Sequence, residues 1–316
     1  MKTAWMFAGQ GAQKPGMGKD IYENNSIFRD VVDKACAVFE AEASGDSSYE
    51  GHTSLKEVMF EDAELINRTR FTQPAMAAFA AGVVGILKDR GLSPDVAAGL
   101  SLGEYSALYA AGVFDLETLI SLLSYRGKVM EEASAGVDCA MSAVLGLTAA
   151  QVEDAVARGA AASGKIVEVS NYNATGQIVI AGEEDGVSAS EAAAKELGAK
   201  RCMRLNVSGP FHTSFMEGAS VKLSERLSEV SLGKTAFPVI YNVTGKTGAD
   251  GDIPSLLERQ IKSPVRMAET ILNLREMGVE RIVEIGPGKT IAGFVRRTAK
   301  EIEVISINTL EDIDRV

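Results

Sequence analysis

Apolar residues recur at intervals near 3.6 along four stretches, 27–43, 73–90, 116–133 and 214–230. That spacing predicts helices with one face turned to a core. Short apolar runs at 3–8, 96–99, 239–243 and 281–285 predict buried strands between them. Strands separated by long helical stretches imply an α/β architecture, a mostly parallel sheet covered on both faces. Between 138 and 207 the rhythm changes. Strand 140–146, helix 148–161 capped by Thr148, strands 167–173 and 177–181, helix 185–197 and strand 200–207 follow in turn. The order β-α-β-β-α-β predicts a ferredoxin-like small domain, 138–207, inserted into a larger domain made of 1–137 and 208–316. Glycine and small polar residues over 44–53 predict an exposed loop.

The chain has 316 residues, 46% apolar and 24% charged, and a formal net charge of −11. An acidic chain is a poor match for nucleic acid, and an acidic protein partner would need a local basic patch. Two such patches are present: Lys289, Arg296, Arg297 and Lys300, and Lys195, Lys200, Arg201 and Arg204. The longest uncharged apolar stretch, 74–87, has 14 residues. A helix needs about 20 to span a bilayer, so no membrane segment is expected. Lys2 and a brief apolar run broken by Gln10 do not make a signal peptide. Cys36, Cys139 and Cys202 are too widely spaced to bind a metal together. They read as reduced thiols in a cytoplasm. A monomer is expected.

Candidate chemistry begins at Gly99-Leu100-Ser101-Leu102-Gly103-Glu104, between a predicted strand and a predicted helix. A serine flanked by glycines at such a turn is the nucleophile-elbow pattern, although a bare match also arises by chance. Serine needs an adjacent base, and the chain has two histidines. His52 lies in a polar loop, whereas His212 lies in Ser208-Gly209-Pro210-Phe211-His212-Thr213, at the seam between the domains. His212 is therefore the candidate base, against the alternative of a structural loop histidine. Arg126 shares a helix stripe with Leu119, Leu122 and Met130. A core-facing arginine needs an anion, either a structural carboxylate or the carboxylate of a substrate. Gln10 N–H, in Gly9-Gln10-Gly11 after the first strand, and Leu102 N–H would form a two-donor oxyanion hole; the loop also reads as a plain connector. Nucleotide loops fail on spacing, because Lys14 and Val283 stand where glycines are required.

FAGQGAQ, GLSLGEYSAL, SYRGKVM, NYNATGQIVIAG, SGPFHT and EIGPGKT stand in one order along the chain. In this the chain resembles the malonyl-CoA:acyl-carrier-protein transacylases of fatty-acid synthesis, from Phe7 to about Phe294. The resemblance implies Ser101 as acyl acceptor, His212 as base and Arg126 as ligand of the malonyl carboxylate. It further implies a hydrolase-like large domain, a backbone carbonyl at Gln260 behind the histidine, and Asn171 and Asn173 lining the cleft. Leu100 departs from the family, many members having histidine there. The implied reaction is ping-pong, from malonyl-CoA to acyl carrier protein through a malonyl-serine ester. Coenzyme A enters as a substrate thioester, with no cofactor. A serine esterase or thioesterase on a related fold is the alternative enzyme, and a carrier-binding scaffold the non-catalytic one.

Overall fold

The computed structural model describes residues 1–316. Strands β1 (Thr3–Phe7), β2 (Val96–Gly99), β3 (Cys139–Leu145), β4 (Val167–Ala174), β5 (Gln177–Glu183), β6 (Arg201–Arg204), β7 (Val239–Tyr241), β8 (Lys246–Thr247), β9 (Arg281–Ile285) and β10 (Glu303–Ile307) form two sheets. The six-stranded sheet has the order β10-β9-β1-β2-β7-β8 and is parallel except for β8. The fold is thus α/β, with a separate antiparallel sheet of order β4-β5-β3-β6.

Alternation along β1 sets the layers. Trp5 and Phe7 face one core with Phe28, Phe79 and Leu119; Ala4 and Met6 face the other with Ile271, Ile291 and Val295. The helix Thr69–Asp89 lies in the first core. It is long and apolar enough to cross a membrane, but 89% of its apolar window is buried inside the fold. It starts four residues before the position read from sequence. Pro74 sits inside it rather than at its first turn, and the extra turn Thr69 to Gln73 is wholly buried.

The smaller sheet carries the helices Ala149–Ser163 and Glu184–Glu196 and has a core of its own, including Val144, Ile178, Ile180 and Val187. Thr148 caps the first of these helices in a reciprocal capping box with Gln151. Tyr172 N–H donates to Val265 C=O, which ties this sheet to the rest of the chain beside the cleft.

Some expectations need correction. The last small-sheet strand ends at Arg204; Leu205 N–H still donates to Met141 C=O, and Leu205, Asn206 and Val207 line the cleft. Ser214–Met216 is a 3-10 turn ahead of the helix Glu217–Ser228. The loop 44–53 is not wholly exposed: Tyr49 is buried and packs edge-on against Phe39 and Phe71.

Candidate active site

Parallel strands deliver their C-terminal ends to one edge of the sheet, and the cleft lies there. At the end of β2 the chain turns sharply into the helix Gly103–Ala110. A Cβ on Gly99 would stand 2.0 Å from the Gly103 carbonyl carbon, and one on Gly103 would stand 2.3 Å from Phe7 O. Only glycine fits at either flank. The turn puts Ser101 at φ 54°, in the left-handed region. Only Glu50, Ser101 and His212 among non-glycine residues adopt such a φ. Two of the three therefore meet in one site, where strain of about 1–3 kcal/mol each is commonly held.

Ser101 Oγ stands 2.8 Å from His212 Nε2. His212 Nδ1 stands 2.8 Å from the Gln260 backbone oxygen. A carbonyl can only accept, so Nδ1 carries the proton and Nε2 presents its lone pair to the serine. Burial, then the nearby Arg126 charge, push the imidazole down to about 4. At neutral pH it is uncharged and able to take a proton.

Arg126 is 1% exposed, in the helix Leu116–Ser134. Nη1 donates to Gln73 Oε1 at 2.7 Å, and Nη2 to Gln260 Oε1 at 2.9 Å and Ser101 Oγ at 3.2 Å. Its guanidinium lies 5.4 Å from the Tyr105 ring centroid. No carboxylate forms an ion pair with it. The structural-carboxylate alternative is thereby removed. Two neutral amides orient a buried cation whose charge stays uncompensated, an arrangement suited to an anionic ligand.

Gln10 and Leu102 both line the cleft, and neither backbone N–H donates to any group of the protein. A Cβ on Gly9 would meet Leu100 O at 2.5 Å, so the Gly9-Gln10-Gly11 loop is pressed directly onto the elbow. Asn171 and Asn173, each 8% exposed, line the small-sheet side. Asn171 Oδ1 accepts from Ser170 Oγ, while Asn173 Oδ1 has no partner. The cleft holds about 430 Å³, and Leu100, Phe211 and Phe294 add apolar wall. Apart from Arg126 its lining is uncharged at neutral pH. His52 is exposed and does not line this cleft, as its polar loop suggested.

The structure brings together the residues assigned to the site in sequence and leaves His52 outside it. It adds three that sequence reasoning missed. Gln73 read as a helix start; it is the partner of Arg126. Asn242 fell inside the run 239–243 read as a strand; it stands just past the end of β7, and its Oδ1 accepts from Ser101 N–H at 2.7 Å. Glu104 read as one more elbow residue; it is fully buried, and an acid amid Tyr105, Ala107 and Leu108 was the available signal. The loop at Gly286-Pro287-Gly288 is explained as well. The helix N-terminus behind it is filled from within, since Glu284 accepts from Ile291 N–H at 2.8 Å and Ala292 N–H at 3.3 Å.

Comparison with known proteins agrees with this geometry. Residues 4–312 match the acyl transferase domain family. A malonyl CoA-acyl carrier protein transacylase of Bacillus subtilis is 38% identical over 99% of this chain and 95% of its own. A transacylase of that name from Staphylococcus aureus is 35% identical over 99% and 97%. The crystal structure of the Streptococcus pneumoniae enzyme covers 100% of both chains at 38% identity, with a TM-score of 0.89. A malonyl-transacylase solved in complex with its type II PKS acyl-carrier protein covers 99% of this chain and 98% of its own, at 34% identity and a TM-score of 0.91. An unpaired buried arginine beside a serine–histidine pair, on this fold and with these relatives, leaves one conclusion: the chain belongs to the malonyl CoA-acyl carrier protein transacylases of the acyl transferase family.

Proposed function

We propose that the protein is an acyltransferase that moves the malonyl group of malonyl-CoA to the phosphopantetheine thiol of an acyl carrier protein, through an ester on Ser101. The observation that carries this reading is the meeting of Ser101, His212 and an Arg126 held only by neutral groups, in one cleft. Neutral His212 takes the hydroxyl proton as Ser101 Oγ attacks the thioester carbonyl. The free N–H groups of Gln10 and Leu102 receive the oxyanion in this reading. Collapse expels the coenzyme A thiolate, which takes the proton from His212. In the second half His212 deprotonates the carrier thiol, the sulfur attacks the ester, and the proton returns to Ser101 Oγ. Redox balance is even and every group is supplied by this chain, so no cofactor or metal is invoked. Arg126 binds the malonyl carboxylate.

Uncharged walls suit a pantetheine arm, which both thiol partners share, while the coenzyme's phosphates stay outside. Gln13, Asn67, Asn173 and Asn206 supply polar groups for its amides. The carrier docks on the helix Thr290–Thr298. Thr290 and Phe294 of that helix line the cleft, and Arg296, Arg297 and Lys300 are exposed without ion-pair partners. In the second basic patch Arg204 is already paired with Glu184 and Glu191.

We read 138–207 as a ferredoxin-like domain inserted into a hydrolase-like domain of 1–137 and 208–316. The element order β3, helix, β4, β5, helix, β6 and the sheet order support this. The protein works as a monomer, and three unpaired cysteines favour a reducing cytoplasm. An esterase reading is less well supported, because a backbone carbonyl rather than an acid stands behind His212. Mixing the protein with malonyl-CoA and then with carrier tests the reading. Thiol-dependent discharge of the acyl-enzyme is expected, and discharge to water at the same rate without carrier would refute it.

A further inference from the structure

The Ser101 turn is held by groups that the transfer reaction itself does not use. Asn242 follows β7 and is 1% exposed. Its side chain bridges the elbow: Oδ1 accepts from Ser101 N–H at 2.7 Å, and Nδ2 donates to Gly99 C=O at 2.6 Å. An amide N–H cannot accept and a carbonyl cannot donate, so these two partners fix the orientation of the carboxamide. The Asn242 backbone is pinned in turn. Its N–H donates to Glu104 Oε2 at 2.5 Å, and its C=O accepts from Arg266 N–H at 2.9 Å. Glu104 is wholly buried, and its other carboxyl oxygen has no partner. Gln260 Nε2 donates to Ser101 C=O at 2.8 Å. Both peptide groups of Ser101 are therefore tied, and Asn242 holds the N-terminal side.

We propose that Asn242, backed by the Glu104 carboxyl, is the positioning residue that keeps the Ser101 turn left-handed and occupies Ser101's own N–H. The Leu102 and Gln10 N–H groups are thereby left as the two oxyanion donors. This rests on Ser101 being the acyl-accepting serine. A non-glycine residue relaxes out of a left-handed φ unless its neighbours hold it there. Relaxation at φ 54° would swing Oγ away from His212 Nε2 and re-aim the Leu102 N–H. Asn242 does not line the cleft, so its loss acts on attack geometry rather than on substrate binding. The effect must be alike for every acyl group, unlike a change at Arg126.

The test is rapid-quench intact-mass measurement of acyl-enzyme formation from malonyl-CoA and from acetyl-CoA. Variants Asn242→Ala, Asn242→Asp, Glu104→Ala and Glu104→Gln are compared with the wild type, and folding is checked by circular dichroism. Asn242→Ala is expected to lower the acylation rate constant about 10- to 100-fold for both thioesters, with the malonyl-CoA KM changed less than about threefold. Asn242→Asp keeps an acceptor for Ser101 N–H but sets an oxygen against Gly99 C=O, and is expected to lower the rate at least fivefold. It carries the test if the alanine variant does not fold. Glu104→Ala is expected to slow acylation, and Glu104→Gln to recover most of that loss. Acylation by Asn242→Asp within twofold of the wild type would overturn the proposal, as would a loss confined to KM or to malonyl-CoA. An adduct persisting in Ser101→Ala would instead refute the serine reading beneath it.

Discussion

Arg126 carries the substrate discrimination in this account because its charge is buried and unmatched. Gln73 and Gln260 orient the guanidinium without neutralising it. Burial pulls its pKa down, yet a guanidinium stays protonated. Arg126→Ala is expected to cut kcat/KM for malonyl-CoA at least about a hundredfold and for acetyl-CoA less than about fivefold. Steady-state assays with the two thioesters decide it, and equal losses would remove the clamp. His212 sets the pH response. Its pKa, pushed down to about 4, lies below that of an unfolded imidazole, about 6.5. The unfolded chain therefore binds more protons between these values, and His212's contribution to stability is lost as pH falls through that window. The pH profile of acylation is expected to stay flat down to about pH 5 and then fall. Glu104 acts with the opposite sign. Burial pushes its carboxyl up to about 8, so the acid is neutral in the fold at pH 7 and ionised when unfolded. Its contribution is full below the unfolded carboxylate range and is lost as pH rises towards 8. Urea titrations from pH 5 to 8 are expected to show a smaller loss of stability for Glu104→Gln than for the wild type. Ser101, His212 and Arg126 were legible because their residue types are rare in such settings. Asn242 and Gln73 were not: an amide at a helix start looks like local capping, and one inside an apolar strand run shows no role, until its distant partner is known.

At the scale of elements, strands β2 and β9 fall where apolar runs bounded by turn residues placed them. β10 went unseen, as a five-residue run at the sheet edge with little to mark it. The helix Ile253–Gln260, which carries the carbonyl behind His212, was also missed, its apolar face being only two turns long. The helix Thr69–Asp89 was shortened because Pro74 mimics a first-turn proline; burial of the preceding turn outweighs the lost hydrogen bond. Element ends give sharp tests. Removing the Thr148 cap in Thr148→Ala is expected to cost about 1 kcal/mol in urea unfolding. Gly99→Ala forces a methyl into the Gly103 backbone and is expected to cost about 3 kcal/mol or more, or to prevent folding.

Over the whole molecule, one sheet edge gathers side chains from across the chain. The proposed nucleophile, Ser101, follows β2, the proposed base, His212, lies in the segment after the antiparallel sheet, and the proposed clamp, Arg126, lies in the helix Leu116–Ser134. The net charge of −11 leaves the carrier to be drawn by local basic surface. Reversing Arg296 and Arg297 to glutamate is expected to raise the apparent KM for carrier at least about fivefold, with the malonyl-CoA KM unchanged. An unchanged carrier KM would move docking elsewhere. The central claim, covalent capture of malonyl by Ser101, is tested most directly by intact mass after mixing with malonyl-CoA. One malonyl group on the wild type and none on Ser101→Ala is the expected result. An unmodified wild-type mass, or the same adduct on Ser101→Ala, would contradict it.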